Sequence, residues 1–309
     1  MDRSACALSI ERIRVNVHIP AYLQHNILRY CFGAEGTRWL ADLPRQIAEL
    51  AQEWGMRVGP AFDKDGAVSW VAPVELADGS EAVLKITFPH DEPRFEAHAL
   101  RVLDGRGAVR LLCASEDGFS LLLERCRPGT DLWSLSEEEG DAVATRMLVR
   151  MWRAPEPDAP FMSLSDLVAH WWADLPRITA GAVYDGDVVA AAVARGRELA
   201  ASQPRLVLLH GDFHPGNVLA AQREPWLFID PKPLIGEPAY DLAQLLYNRA
   251  RFLIQSDDAI KLLRQQIDRF AAGLGLDPAR IAGWAFVKAL GWQCGPEFVT
   301  LFQQVAQGW

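Results

Sequence analysis

Hydrophobic and polar positions along the 309-residue chain follow two periods in turn. Over residues 37–54, Trp39, Leu43, Ile47, Leu50 and Trp54 recur at helical spacing behind Thr37, a possible cap. That pattern predicts an amphipathic helix with a packing role. Residues 1–36 carry no readable pattern. From Gly55 the texture changes to apolar-rich runs at 57–62, 68–76 and 82–88. They are separated by Asp63-Lys64-Asp65-Gly66 and Ala77-Asp78-Gly79-Ser80, and Asp-Gly between such runs signals hairpins. The region therefore predicts an antiparallel meander. A helix opened by Asp91 and Pro93 follows, with Phe95, Ala99, Val102 and Leu103 on its apolar face and Glu96 flanking it. Two further strand-like runs, 108–114 and 119–124, complete a five-stranded sheet.

The second run leads into Glu124-Arg125-Cys126-Arg127-Pro128-Gly129, a polar Pro/Gly segment that predicts a domain boundary. Residues 1–126 then form one lobe and 127–309 another. Beyond the boundary, apolar periodicity predicts helices over 135–152, 164–172, 188–201, 238–248, 258–273 and 277–290. The fold class is α+β: an antiparallel-sheet lobe followed by a mainly helical one.

Composition narrows the classes of partner. Half the residues are hydrophobic and the formal net charge is −9, so nucleic acid and anionic membranes are unsuitable partners. The five scattered cysteines have no CxxC pair and no secreted-type framework, which points to a cytoplasmic protein. No signal pattern opens the chain and no uncharged run reaches transmembrane length.

The chemistry concentrates in residues 206–230. Apolar runs at 206–209, 218–221 and 226–229 bracket His210-Gly211-Asp212-Phe213-His214-Pro215-Gly216-Asn217 and end at Asp230. The glycines and proline exclude a regular helix, so the polar groups sit on loops between short strands. Asp212 can accept a hydroxyl proton. Asn217 and Asp230 offer oxygen-only ligation suited to Mg²⁺. Such parts are those of phosphoryl transfer, which depends on positioning and charge neutralisation. Two other readings use the same residues. Asp and Asn beside Gly and Pro are ordinary turn formers. Alternatively, His210, Asp212 and His214 could ligate the metal of a hydrolase, although helical zinc motifs do not tolerate Pro215 and Gly216.

Asp212 and Asn217 repeat the spacing of the protein-kinase catalytic loop, and the opening His-Gly-Asp resembles the aminoglycoside phosphotransferases. The run from His210 through Ile229-Asp230-Pro231-Lys232-Pro233 to Asp241 is similar to their streptomycin 6-phosphotransferase and hydroxyurea phosphotransferase branch. The resemblance covers most of residues 55–290 and implies a bilobal protein-kinase-like fold. It also implies ATP and Mg²⁺ as cofactors, Asp212 as base, and Asn217 and Asp230 as metal ligands. Lys85 and Glu96 would serve the nucleotide phosphates, with the backbones of Glu124 and Cys126 at adenine. Ser69 falls by position on the phosphate-covering turn, which here is poor in glycine. His210 and Asp241 would support the catalytic loop. Asp241 also suits a helix N-terminus on its own account. The acceptor implied is a hydroxyl of streptomycin or a related cationic aminoglycoside, with an endogenous sugar-like alcohol as the alternative. Asp174, Asp185, Asp187, Glu237 and Glu297 are the surface acids available to such a cation.

Overall fold

The computed structural model of the protein describes residues 17–29, 33–63 and 68–309. By its internal contacts the chain divides into two compact units. The first comprises the described residues up to Asp91 together with Leu112–Arg125; the second comprises Glu92–Leu111 and Cys126–Trp309.

In the first unit, helices α1 (Ala21–Arg29) and α2 (Gly33–Glu53) accompany a five-stranded sheet. Its strands are β1 (Met56–Val58), β2 (Ser69–Leu76), β3 (Glu81–Thr87), β4 (Leu111–Ala114) and β5 (Ser120–Glu124), in the order β1-β2-β3-β5-β4. The two periods of the sequence meet in one core. Trp39, Leu43, Ile47 and Leu50 recur along α2, and Trp70, Ala72 and Val74 alternate along β2 with Ala82, Leu84 and Ile86 along β3. Thr37 does not cap α2. It lies inside the helix and its hydroxyl donates to Gly33 O at 3.1 Å, because the helix begins at Gly33. The strand expected over 57–62 is regular only to Val58. Beyond that, Gly59 N and Phe62 N still donate to Pro73 O and Val71 O, both at 2.8 Å.

The longer segment of the second unit starts at Cys126, and the helix carrying Glu96 also belongs to the second unit. That helix, α3 (Glu96–Leu103), is tied there by its surroundings. Arg153 donates to Val102 O at 2.8 Å, and the His98 ring stands 5.2 Å from Phe161. Downstream, Phe228 N donates to Gly107 O at 2.8 Å and Arg223 donates to Gly105 O and Ala108 O, each at 2.7 Å.

The rest of the second unit is mainly helical: α4 (Glu137–Met151), α5 (Leu164–Ala173), α6 (Leu175–Thr179), α7 (Gly186–Ala201), α8 (Asp241–Leu253), α9 (Ala259–Leu274), α10 (Pro278–Gly291) and α11 (Pro296–Ala306). Two small sheets carry the loops between them. Strand β10 (Leu234–Gly236) lies parallel to β6 (Met162–Ser163) and antiparallel to β7 (Val207–Leu209). Strands β8 (Val218–Ala220) and β9 (Trp226–Phe228) form an antiparallel pair. Helix α10 is buried from Ile281 through Gly291, Lys288 included, so it is the central helix of this unit. Among the described residues, no helix is long and apolar enough to cross a membrane, and Cys113, Cys126 and Cys294 are free thiols.

Candidate active site

The loop between β7 and β8 is held from below by one carboxylate. Asp241 opens α8 and is fully buried. Its Oδ1 accepts from Gly211 N at 2.8 Å, and its Oδ2 from His210 N at 3.1 Å and Trp152 Nε1 at 2.9 Å. Burial pushes this carboxyl above the ordinary range, against the hydrogen bonds from Trp152, Gly211 and His210. From the other side, Lys288 of α10 donates to Gly211 O at 2.9 Å. Its ammonium also lies 4.1 Å from the Trp292 ring centroid and 4.8 Å from that of Tyr240. Gly211 adopts φ +77°, and a Cβ there would meet Lys232 O at 2.0 Å, so only glycine fits.

His210 is a neutral strut. Its Nε2 donates to Ile229 O at 3.0 Å and its Nδ1 accepts from Asp212 N at 3.3 Å. The ring stands edge-on to Phe213 and Phe228, with centroids 5.5 and 5.3 Å away. Burial drives its pKa down to about 4. His214 Nδ1 accepts from Gly216 N at 3.1 Å, and burial lowers that imidazole too. With both nitrogens of His210 bonded to backbone, the hydrolase reading through His210, Asp212 and His214 loses its first ligand. Among the described residues, no cluster of three or more His, Cys, Asp or Glu side chains is arranged to hold a metal.

Asp212 is 8% exposed and Lys232 Nζ lies 2.9 Å from its Oδ2. Burial works to raise this carboxyl, but Lys232 above all, with His214 and Lys288, holds it below the ordinary range. Asn217 Nδ2 donates to Asp212 O at 3.0 Å, which leaves the amide oxygen as its remaining acceptor. Ile229 N donates to Asn217 O at 2.9 Å and so joins the loop to the segment that carries Asp230. Asp230 itself takes the left-handed conformation, φ +55°, and its side chain is 33% exposed. One amide oxygen and one carboxylate are hard donors, too few to cage a cation alone. They fit Mg²⁺, which keeps waters and takes substrate phosphates as its other ligands.

The structure thus brings His210, Asp212, Asn217, Asp230 and Asp241 together within the second unit. Lys85, in the middle of β3 and paired in register with Leu121, is buried in the first unit. Glu96 is buried at the start of α3 in the second. Glu124 ends β5, and Cys126 opens the longer segment of the second unit. Ser69 is the first residue of β2, and its hydroxyl is shared with Thr87 Oγ1 at 2.9 Å within the sheet. Turn residues 64–67 lie outside the described residues. Glu237 does not lie on the surface as expected. It is 1% exposed, bound by Arg280 Nε at 2.7 Å and by the Trp284 indole, so it is no surface acid. Asp185 caps α7 and Asp174 pairs with Arg177, whereas Glu297 is exposed at the start of α11. Burial pushes the nearby Cys294 thiol up to about 11, which favours the protonated, less nucleophilic form at neutral pH.

Two lysines that the sequence pattern did not single out, Lys232 and Lys288, stand in contact with this loop. The signal for Lys288 was a lone lysine in Trp284-Ala285-Phe286-Val287-Lys288-Ala289-Leu290. Such an interruption of a buried helix requires a partner.

A family model described as aminoglycoside/hydroxyurea antibiotic resistance kinase matches residues 57–292. The chain belongs to that family. As a member it is a phosphotransferase acting on hydroxyl groups. It is 36% identical to a streptomycin 6-kinase of Streptomyces glaucescens, over 89% of each chain. It is 38% identical to a hydroxyurea phosphotransferase of Kitasatospora aureofaciens, over 91% of this chain and 81% of that one. In three dimensions it is similar to an aminoglycoside phosphotransferase from Streptomyces rimosus solved with ADP and streptomycin. That match has a TM-score of 0.55 at 20% identity and covers 81% of this chain and 99% of the other. The likeness establishes the protein-kinase-like fold of this family member.

Proposed function

We propose that this protein transfers the γ-phosphoryl group of ATP to a hydroxyl of streptomycin or a related aminoglycoside. The observation that carries the reading is the identity to a streptomycin 6-kinase along 89% of the chain. The acceptor oxygen forms a bond to the γ-phosphorus as the bond from that phosphorus to ADP breaks. Asp212 orients the hydroxyl and takes its proton late, because a loose transition state asks little of a base. Its depressed carboxyl suits that order: ionised at neutral pH, it orients before it accepts. Asn217 and Asp230 are the residues that would hold Mg²⁺, which when bound neutralises charge on the phosphates. Lys85 and Glu96, at 7% and 2% exposure, keep the nucleotide-phosphate roles implied by the resemblance. Charged groups so buried require charge partners.

The test is transfer of labelled phosphate to streptomycin at low and high salt, beside hydroxyurea and neutral polyols. Guanidinium groups pair with carboxylates, so apparent affinity for streptomycin should weaken as salt rises. Transfer to a neutral polyol alone would leave a kinase with an endogenous acceptor. The similar hydroxyurea phosphotransferase makes hydroxyurea the second acceptor to score, and a neutral acceptor should show no such salt dependence.

A further inference from the structure

Lys232 is a charged group at the site to which that reaction scheme gives no part. Its ammonium lies 2.9 Å from Asp212 Oδ2 and 3.5 Å from Asp230 Oδ2, between the assigned base and the assigned metal carboxylate. The pair with Asp212 is not a loose surface contact of the kind that contributes little. The side chains of Lys232 and Asp212 are 19% and 12% exposed. Their backbone carriers are fixed as well. Lys232 N donates to His210 O at 2.7 Å, and Lys232 O packs where a Cβ of residue 211 would stand. Pro233 biases Lys232 towards extended backbone, and the ring of Pro231 fixes its own φ just before Lys232. The left-handed turn at Asp230 returns the chain towards the loop of Asp212. A lysine held this closely restricts the torsion of the Asp212 carboxylate, which is otherwise broad.

We propose that Lys232 is a positioning residue for phosphoryl transfer: it clamps Asp212 Oδ2 so that the other oxygen is aimed at the acceptor hydroxyl, and it fixes the spacing of Asp212 from Asp230. The proposal rests on the assignment of Asp212 as base. Misplacement of a reacting group by about 1 Å costs on the order of 10²-fold in rate. The clamp acts on the base and not on nucleotide affinity. An ion pair that merely stabilised the fold would instead lower melting temperature, MgADP affinity and turnover together.

The experiment compares Lys232→Met, Lys232→Gln and Lys232→Arg in the full chain. MgADP binding is measured by calorimetry, melting by scanning calorimetry, and kcat and KM with streptomycin. The Met and Gln variants should lose roughly 10²-fold in kcat. Their acceptor KM should stay within about twofold and their MgADP affinity should not weaken. Arg should recover part of the loss, because it restores the charge with a different fork. Gln keeps a donor to Asp212 but not the charge, so it carries the same test should Met fail to fold. The double variant Asp212→Asn/Lys232→Met should be no slower than Asp212→Asn alone, since the two act as a unit. Full kcat in the folded Met or Gln variant, losses that multiply in the double variant, or a kcat loss that tracks lost MgADP affinity would each overturn the proposal. Asp212→Asn separates the two levels. If it is inactive while Lys232→Met is fully active, only the lysine's role fails. If it turns over normally, the base assignment fails and the clamp with it.

Discussion

Trp152 Nε1 donates to Asp241 Oδ2 at 2.9 Å, joining the residue after α4 to the first residue of α8 beside the loop of His210 and Gly211. The same carboxylate holds His210 N and Gly211 N. It is therefore the anchor of the loop, beyond any favourable effect on the helix dipole. Replacing Asp241 by Ala leaves three buried donors unpaired. We expect a stability loss of about 3 kcal/mol or more in urea unfolding, with activity lost even where the variant stays folded. Trp152→Phe removes one donor and should cost about 1.5–3 kcal/mol, the range for a hydrogen bond to a charged group. A Trp152→Phe variant as stable as the parent would count against the anchor.

Gly211→Ala should be far worse than its size suggests. The added Cβ would stand 2.0 Å from a backbone oxygen at a φ of +77°, and neither the turn nor Lys232 O can yield without breaking the contact with His210 O. The cost expected is above about 3 kcal/mol, in the range reserved for strain and overpacking together. Urea unfolding of the variant beside a Gly216→Ala control checks it. The atoms nearest the control Cβ would be side-chain atoms, His214 first at 3.0 Å.

Much of this arrangement was legible in the chain. The alternation in β2 and β3, the helical spacing in α2 and the polar break at residues 210–217 each reported their own structure, because burial imposes those periods directly. The short strands β6 and β10 were not legible, since two or three residues carry no period. The central position of α10 was not legible either, because a helix that is apolar all round reads as composition, not as a face. The attachment of α3 to the second unit was hidden because it depends on Arg153, Phe161 and Arg223, all remote in sequence. The burial of Glu237 was hidden for the same reason: nothing near it in the chain announces Arg280 or Trp284.

The buried imidazole of His210 makes stability depend on pH. Its folded pKa, about 4, lies below the unfolded value near 6.5, so the unfolded state binds the extra proton between them. Stability should be full above about pH 6.5 and should fall as pH drops towards 4, by up to about 3 kcal/mol from this residue. Urea unfolding at pH 7.5 and pH 5 measures the slope. His210→Gln should be less stable at pH 7.5 but should show a shallower slope. What remains would carry the contribution of His214, which burial shifts in the same direction. An unchanged slope in His210→Gln would show that the imidazole is not the titrating group.

Two acids that look alike in sequence should separate cleanly in function. Glu237 is buried between Arg280 and Trp284, and its N–H also donates to Gln203 Oε1 at 3.0 Å. Arg280 in turn reaches Leu199 O at 3.2 Å, so the carboxylate ties α10 to the end of α7. Breaking a buried pair by removing one partner costs about 3–5 kcal/mol, because the remaining charge is left unpaired. Glu237→Ala should lose about that much stability. Any soluble fraction should keep the parent's KM for a cationic acceptor, since the side chain does not face solvent. Glu297 stands exposed at the N-terminal turn of α11, where a carboxylate is available to a guanidinium group. Glu297→Gln should leave urea unfolding within about 0.5 kcal/mol of the parent. With streptomycin as acceptor it should raise KM several-fold at low salt and much less at high salt, where the charge pair is already screened. If instead KM rises in Glu237→Ala and stays fixed in Glu297→Gln, the acceptor cation is bound on the face that Arg280 now closes, and the exposed carboxylate has no part in recognition.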